Sequence, residues 1–168
     1  MNYLKIAYDD QLNGEGLRVV LFVSGCNHHC EECQNPQTWD HRAGKKFDDK
    51  AIDKIFYYLS KDYIAGITLS GGDPLNDNNT KDILDLCKKI KSRYNNKTIW
   101  LYTGYTYEEV LEDPTRKGIM NYIDVMVDGR FDKSLLDVNY PWAGSTNQRI
   151  IDVNKSIKNN EIILYKSE

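Results

Sequence analysis

The run SGCNHHCEECQNP places Cys26, Cys30 and Cys33 in one short loop. Thiolates are soft ligands, and the C-x3-C-x2-C spacing lets three sulfurs meet one face of a compact iron–sulfur cluster, whose adjacent irons each need a ligand. A cube has four irons. The only other cysteine, Cys87, stands far down the chain in a helical pattern and reads as a small buried hydrophobe. The fourth iron is therefore expected to lack a protein ligand, and an open iron can bind and activate a substrate. A zinc site completed by His28 or His29 is the alternative, although the short loop makes it hard for either to reach back to a metal held by the flanking cysteines. Both histidines are expected to be solvated loop residues. A disulfide framework is disfavoured, since 4 cysteines in 168 residues without a secretory leader do not describe a stapled extracellular domain.

A second segment, SGGDPL from Ser70 to Leu75, carries two glycines and an aspartate. Glycines at a strand end let backbone amides and carbonyls approach a ligand without a Cβ in the way. A tight turn into the next helix explains the same residues, with Asp73 and Pro74 as turn and first-turn positions. The ligand reading gains weight if this turn sits beside the cysteine loop.

The elements that must position these motifs follow from periodicity. Arg18 to Gly25 (RVVLFVSG) is rich in β-branched residues, too short for a helix, and leads straight into the cysteines. Asp48 to Leu59 reads as a helix capped by its aspartate, and Ala65 to Ser70 as the next strand. Asn79 to Tyr94 is an amphipathic helix, Thr98 to Gly104 a strand, Tyr107 to Pro114 a short helix ended by proline, and Tyr122 to Arg130 a further strand. Arg149 to Val153 and Glu161 to Tyr165 read as edge strands. Strand–helix alternation predicts an α/β fold with a mostly parallel sheet, which places ligands beyond the C-terminal strand ends. Those ends carry the cysteine loop, Ser70 to Asp73, Thr103-Gly104-Tyr105 and Asp128-Gly129-Arg130. A complete eight-unit barrel takes about 250 residues, so a partial, open β/α barrel in a single domain, 1–168, fits the length better.

Composition sets the remaining bounds. A hydrophobic fraction of 40% with 11 glycines and 4 prolines describes an ordinary globular core. The formal charge of -3 comes from 22 basic and 25 acidic residues in mixed order, which argues against a broad nucleic-acid surface. No run approaches the length of a membrane span and no leader is evident, so a cytoplasmic protein is expected.

Taken together, the cysteine loop after the first predicted strand and the Gly-Gly-acid turn after the second resemble the radical S-adenosylmethionine enzymes. More narrowly, Asn13 to Asp40, SGGDPL, YTGY, VDGRF and the late GSTNQR are similar, in order, to the glycyl-radical-enzyme activases that serve anaerobic ribonucleotide reductase. The resemblance implies a [4Fe-4S] cluster held by Cys26, Cys30 and Cys33, with the methionine end of S-adenosyl-L-methionine on the remaining iron. It implies reductive cleavage to a 5′-deoxyadenosyl radical, which takes hydrogen from one glycine of the large catalytic subunit of the reductase. Reduced flavodoxin or ferredoxin would supply the electron. Gly71, Gly72 and Asp73 align with the element that receives the methionine ammonium group. Glu32, Cys33 and Gln34 would run past the adenine, although Glu32 stands where many such enzymes carry an aromatic residue. Thr103 and Tyr105 would form a wall. Arg130 is expected to hold a carboxylate or to sit in an exposed salt bridge, and Trp142, Gly144, Ser145, Asn147 and Gln148 to dock a partner backbone or to pack on their own domain. Activation of another glycyl-radical enzyme, such as pyruvate formate-lyase, is the neighbouring alternative, and a zinc-stabilised binding module the more distant one.

Overall fold

A computed structural model describes residues 1–167. Seven strands form one sheet: β1 (Asn2–Asp10), β2 (Arg18–Val23), β3 (Lys45–Lys46), β4 (Gly66–Gly71), β5 (Thr98–Tyr102), β6 (Val125–Asp128) and β7 (Arg149–Asp152). Their spatial order is β3-β1-β2-β4-β5-β6-β7, and the sheet does not close. The central pairings β2·β4, β4·β5 and β5·β6 are parallel. Antiparallel pairs flank them, β3·β1·β2 on one side and β6·β7 on the other. The crossovers carry α1 (Asp49–Leu59), α2 (Thr80–Arg93), and the pair α3 (Tyr107–Glu112) and α4 (Pro114–Met120), and α5 (Val153–Asn159) follows β7.

Period-two alternation explains why both faces of this sheet are covered. One set of alternating side chains, Val19, Leu21, Val23, Ile67, Leu69, Ile99, Leu101 and Met126, packs in the main core with Ile55 and Leu59 of α1 and Ile83, Leu86 and Ile90 of α2. Cys87 is buried in that core, and burial pushes its thiol up to about 12. The other set faces a smaller cluster in which Trp100, Val125, Val127 and Ile150 meet Tyr102, Tyr140, Trp142, Ala143 and Tyr165. This second face is the concave one, and its floor includes a charge. Arg18 is 1% exposed, yet all five of its N–H groups are spent on oxygens: Thr68 Oγ1, Glu15 O, Thr98 Oγ1, Ile67 O and Thr98 O.

Local signals account for most helix ends. Asp48 accepts from Ala51 N at the start of α1, and Thr106 with Glu109 forms a reciprocal capping box on α3. Pro114 ends one helix and begins the next. Its preceding residue Asp113 is extended, and the proline takes the first turn of α4, where no backbone donor is needed. The expected single helix before Pro114 is thus followed by a second one. The strand expected from Tyr122 is shorter, because Tyr122 N and Ile123 N are taken up in turns closing on Ile119 and Met120. The segment Glu161 to Tyr165 makes one isolated bridge, Ile151 to Leu164, rather than a strand. Among the described residues, no helix is long and apolar enough to cross a membrane.

Candidate metal centre

Because β2, β4, β5 and β6 run parallel, their C-terminal ends share one rim, and backbone hydrogen bonds lace the rim loops together. Gly72 N donates to Val23 O at 2.8 Å and Asp73 N to Gly25 O at 2.8 Å, which seats the Ser70–Asp73 turn against the root of the cysteine loop. Asn79 Nδ2 reaches both Ser24 O and Asp73 O at 2.9 Å. On the far side of the loop, Gly25 N donates to Thr38 O and Cys26 N to Trp39 O. Gly71 has φ +101°, and a Cβ there would meet Val23 N at 2.5 Å, so only glycine fits.

The cysteine loop itself turns twice through left-handed backbone, at His29 (φ 50°) and Glu32 (φ 56°). Cys26, Cys30 and Cys33 are each partly exposed and line a single cavity of about 670 Å³. Its other walls include Phe22, Ser70, Gly71, Gly72, Tyr102, Thr103, Gly104, Arg130 and Trp142. A volume of that size is typical of a small-molecule or cofactor site. Asn35 N donates to Cys33 Sγ at 3.3 Å. Burial pushes the Cys26 thiol up to about 11 and raises the Cys30 thiol as well, so thiolates here require a cationic partner. Three thiols lining one cavity are a ligand set that a cluster, with its ligands on separate irons, can use. Trp39, stacked on His29 at 4.4 Å, adds a buried indole N–H with no protein partner beside the loop.

The structure corrects the reading of His28. Its side chain is 6% exposed rather than solvated, and its Nε2 lies 2.7 Å from Asp73 Oδ2. Nδ1 accepts from Arg130 Nε at 3.1 Å, and the ring packs edge-on against Tyr105 at 4.6 Å. His29 is exposed, as expected. Asp73 is 1% exposed, and besides His28 its carboxylate accepts from Leu75 N, the Thr103 hydroxyl and Gly104 N. Thr103 remains on the cavity wall while spending its hydroxyl on that aspartate. Gln34 also lines the cavity, whereas Glu32 points outward to solvent and is not part of the lining.

The late loop packs on its own domain and roofs the concave face. Gln148 Oε1 accepts from Gly144 N and Ser145 N, while its Nε2 donates to Gly129 O. Asn147 donates to Arg130 O. Trp142 meets Trp100 edge to face at 5.0 Å, and its carbonyl accepts from the Tyr102 hydroxyl. One site feature escaped sequence reasoning, the His28 contact, which no spacing rule encodes; packing of the late loop on its own domain is one of its two expected readings, although the glutamine staple is visible only once β6 and β7 are paired.

Three thiols share a cavity at the rim of an open α/β sheet, and residues 12–151 match the family model described as a 4Fe-4S single cluster domain, which makes this a single-cluster iron–sulfur protein. Similar proteins are an anaerobic ribonucleoside-triphosphate reductase-activating protein of Enterobacteria phage T4, 43% identical over 89% of this chain and 93% of the relative, and that of Pasteurella multocida, 41% identical over 89% and 96%. The Escherichia coli K12 counterpart is 41% identical over 88% of this chain and 96% of its own length. The chain belongs to the family of anaerobic ribonucleoside-triphosphate reductase-activating proteins.

Proposed function

We propose that this protein activates an anaerobic ribonucleotide reductase by the radical S-adenosylmethionine route, on the framework of a partial β/α barrel. The observation that carries the reading is the shared cavity: Cys26, Cys30 and Cys33 face the backbone of Gly71 and Gly72 across one rim. Three cysteines would hold a [4Fe-4S] cluster and leave one iron for the methionine end of the cosubstrate. When bound and reduced by flavodoxin or ferredoxin, the cluster would supply the electron that cleaves S-adenosyl-L-methionine to methionine and a 5′-deoxyadenosyl radical, which then takes a hydrogen atom from a glycine of the large reductase subunit.

The chain's own residues do the positioning. The Gly71–Gly72 backbone edge, which lines the cavity, receives the methionine ammonium. The backbone at Cys33 and Gln34, with Phe22 and Tyr102, bounds the adenosyl end. Thr103 and Gly104 close the side nearest Asp73, and the 138–144 segment shields the concave face from water. Anaerobic loading with iron and sulfide, followed by electron paramagnetic resonance, tests the proposal. S-adenosyl-L-methionine should perturb the signal of the reduced cluster, methionine and 5′-deoxyadenosine should form, and a glycyl radical should appear on the large subunit. A colourless protein that takes up zinc in place of iron would end the proposal, and a glycyl radical formed only on a different partner would reassign the target.

A further inference from the structure

The aspartate of the Gly-Gly-Asp turn has no capacity left for a ligand. A carboxylate offers about four lone-pair sites. On Asp73, Oδ1 accepts from Leu75 N at 2.8 Å and Thr103 Oγ1 at 2.9 Å, and Oδ2 faces His28 Nε2 at 2.7 Å, Gly104 N at 3.0 Å and Thr103 Oγ1 at 3.0 Å. Arg130 Nε can only donate, so His28 Nδ1 accepts and Nε2 carries the proton toward Asp73. The donors come from three different rim loops: the cysteine loop, the turn after β4 and the end of β5. Gly104 makes the arrangement possible. A Cβ at that position would stand 2.4 Å from His28 Cδ2 and 2.7 Å from its Nε2, so the ring occupies space that only glycine leaves open.

We infer that His28 and Asp73 are positioning residues that latch the cysteine loop to the cosubstrate seat, with Asp73 binding protein donors rather than S-adenosyl-L-methionine. The inference rests on the proposed function for the identity of the ligand. The latch sets the gap between the loop that carries the three thiols and the backbone of Gly71 and Gly72. Binding one ligand across both sides needs that gap fixed in advance, because a contact spanning two loosely joined loops must also order them.

The test uses anaerobically loaded protein and reads three quantities: iron and sulfide per chain, the electron paramagnetic resonance signal of the reduced cluster alone, and the concentration of S-adenosyl-L-methionine that half-converts that signal. His28→Ala is expected to keep the cluster and its signal but to raise the half-converting concentration about ten- to a hundredfold, the range for losing a hydrogen bond to a charged group. His28→Gln, whose amide N–H can reach Asp73, should restore most of the affinity. Gly104→Ala, outside the cysteine loop, should reproduce the His28→Ala loss by displacing the ring, and it serves as the deciding variant if His28→Ala fails to hold a cluster. In a double-mutant cycle, His28→Ala should cost little more once Asp73→Asn is present. Wild-type affinity in His28→Ala or Gly104→Ala, no rescue by glutamine, or fully additive losses would overturn the latch. Absence of any S-adenosyl-L-methionine response in the wild-type protein would instead overturn the proposed function itself.

Discussion

Arg18 offers a prediction that separates charge from shape. The guanidinium lies under the concave face with no carboxylate hydrogen-bonded to it, and desolvation lowers it from its ordinary 12.5 to about 10. That fall corresponds to a burial cost of about 3 kcal/mol. The cost is offset by five hydrogen bonds and by the Trp100 ring, 5.5 Å from the guanidinium carbon. Arg18→Lys keeps a charge to be desolvated but brings three donors in place of five and no planar face, so it strands at least two buried oxygens at about 1–3 kcal/mol each. Arg18→Met also strands acceptors, yet it removes the desolvation cost and fills similar space. By the same figure the lysine variant is expected to lose about 2–6 kcal/mol, and the methionine variant, which leaves all five oxygens unpaired but recovers about 3 kcal/mol of desolvation, at least as much. Urea unfolding of the cluster-free proteins, followed by far-ultraviolet circular dichroism, provides the comparison. A lysine variant within about 1 kcal/mol of wild type would refute the reasoning, because charge alone would then suffice at this position.

The other predictions concern the rim and the acid limit. Cys26→Ala, Cys30→Ala and Cys33→Ala should each abolish the cubane cluster, measured by iron and sulfide content, whereas Cys87→Ala should retain it at a stability cost of about 1 kcal/mol; a cluster-free Cys87→Ala protein would contradict the ligand assignment. At Gly72 a Cβ would meet Gly25 O at 2.6 Å and Thr38 O at 3.0 Å. Gly72→Ala should therefore force the backbones of the turn and the cysteine loop apart, cutting turnover of S-adenosyl-L-methionine by about tenfold or more and lowering stability as well, checked by 5′-deoxyadenosine yield beside the urea midpoint. Glu108 is held below 4.5 by hydrogen bonds from Arg149, and Glu15 by those from Ser167 and Tyr165. Depressed carboxyls contribute stability above their unfolded value and lose it as pH falls through the folded one. The urea midpoint should thus drop below about pH 4.5, and less steeply in the Glu15→Gln/Glu108→Gln double variant; equal slopes would show that other carboxyls dominate.

Legibility in the sequence tracked how local each determinant was. The cysteine loop, the Gly-Gly-Asp turn and four parallel strands follow from spacing and short apolar runs, because each is decided within about ten residues. The strand β1 is not legible in the sequence: only Ile6 of its nine residues is buried, so its segment carries no clean alternation, and the strand exists because β2 offers an edge. The helix α4 hid behind Pro114, which reads equally as a stop and as a start. Cys87 was readable as core because its neighbours on α2 share its face. His28 was not, since its burial depends on Asp73, Gly104, Tyr105 and Arg130, which are brought together by three separate crossovers.

The sheet that stops at β7 has a consequence for timing. A closed barrel excludes water permanently but admits only what can diffuse through its mouth. Here one flank is finished by a peptide roof stapled through Gln148 to the β6 end, and the rest of the enclosure is left for another surface to supply. Under the proposed function, the macromolecule to be modified is also the missing wall. The dry chamber that a reactive radical needs would then exist only while the correct partner is docked, so substrate selection and protection of the intermediate become a single event.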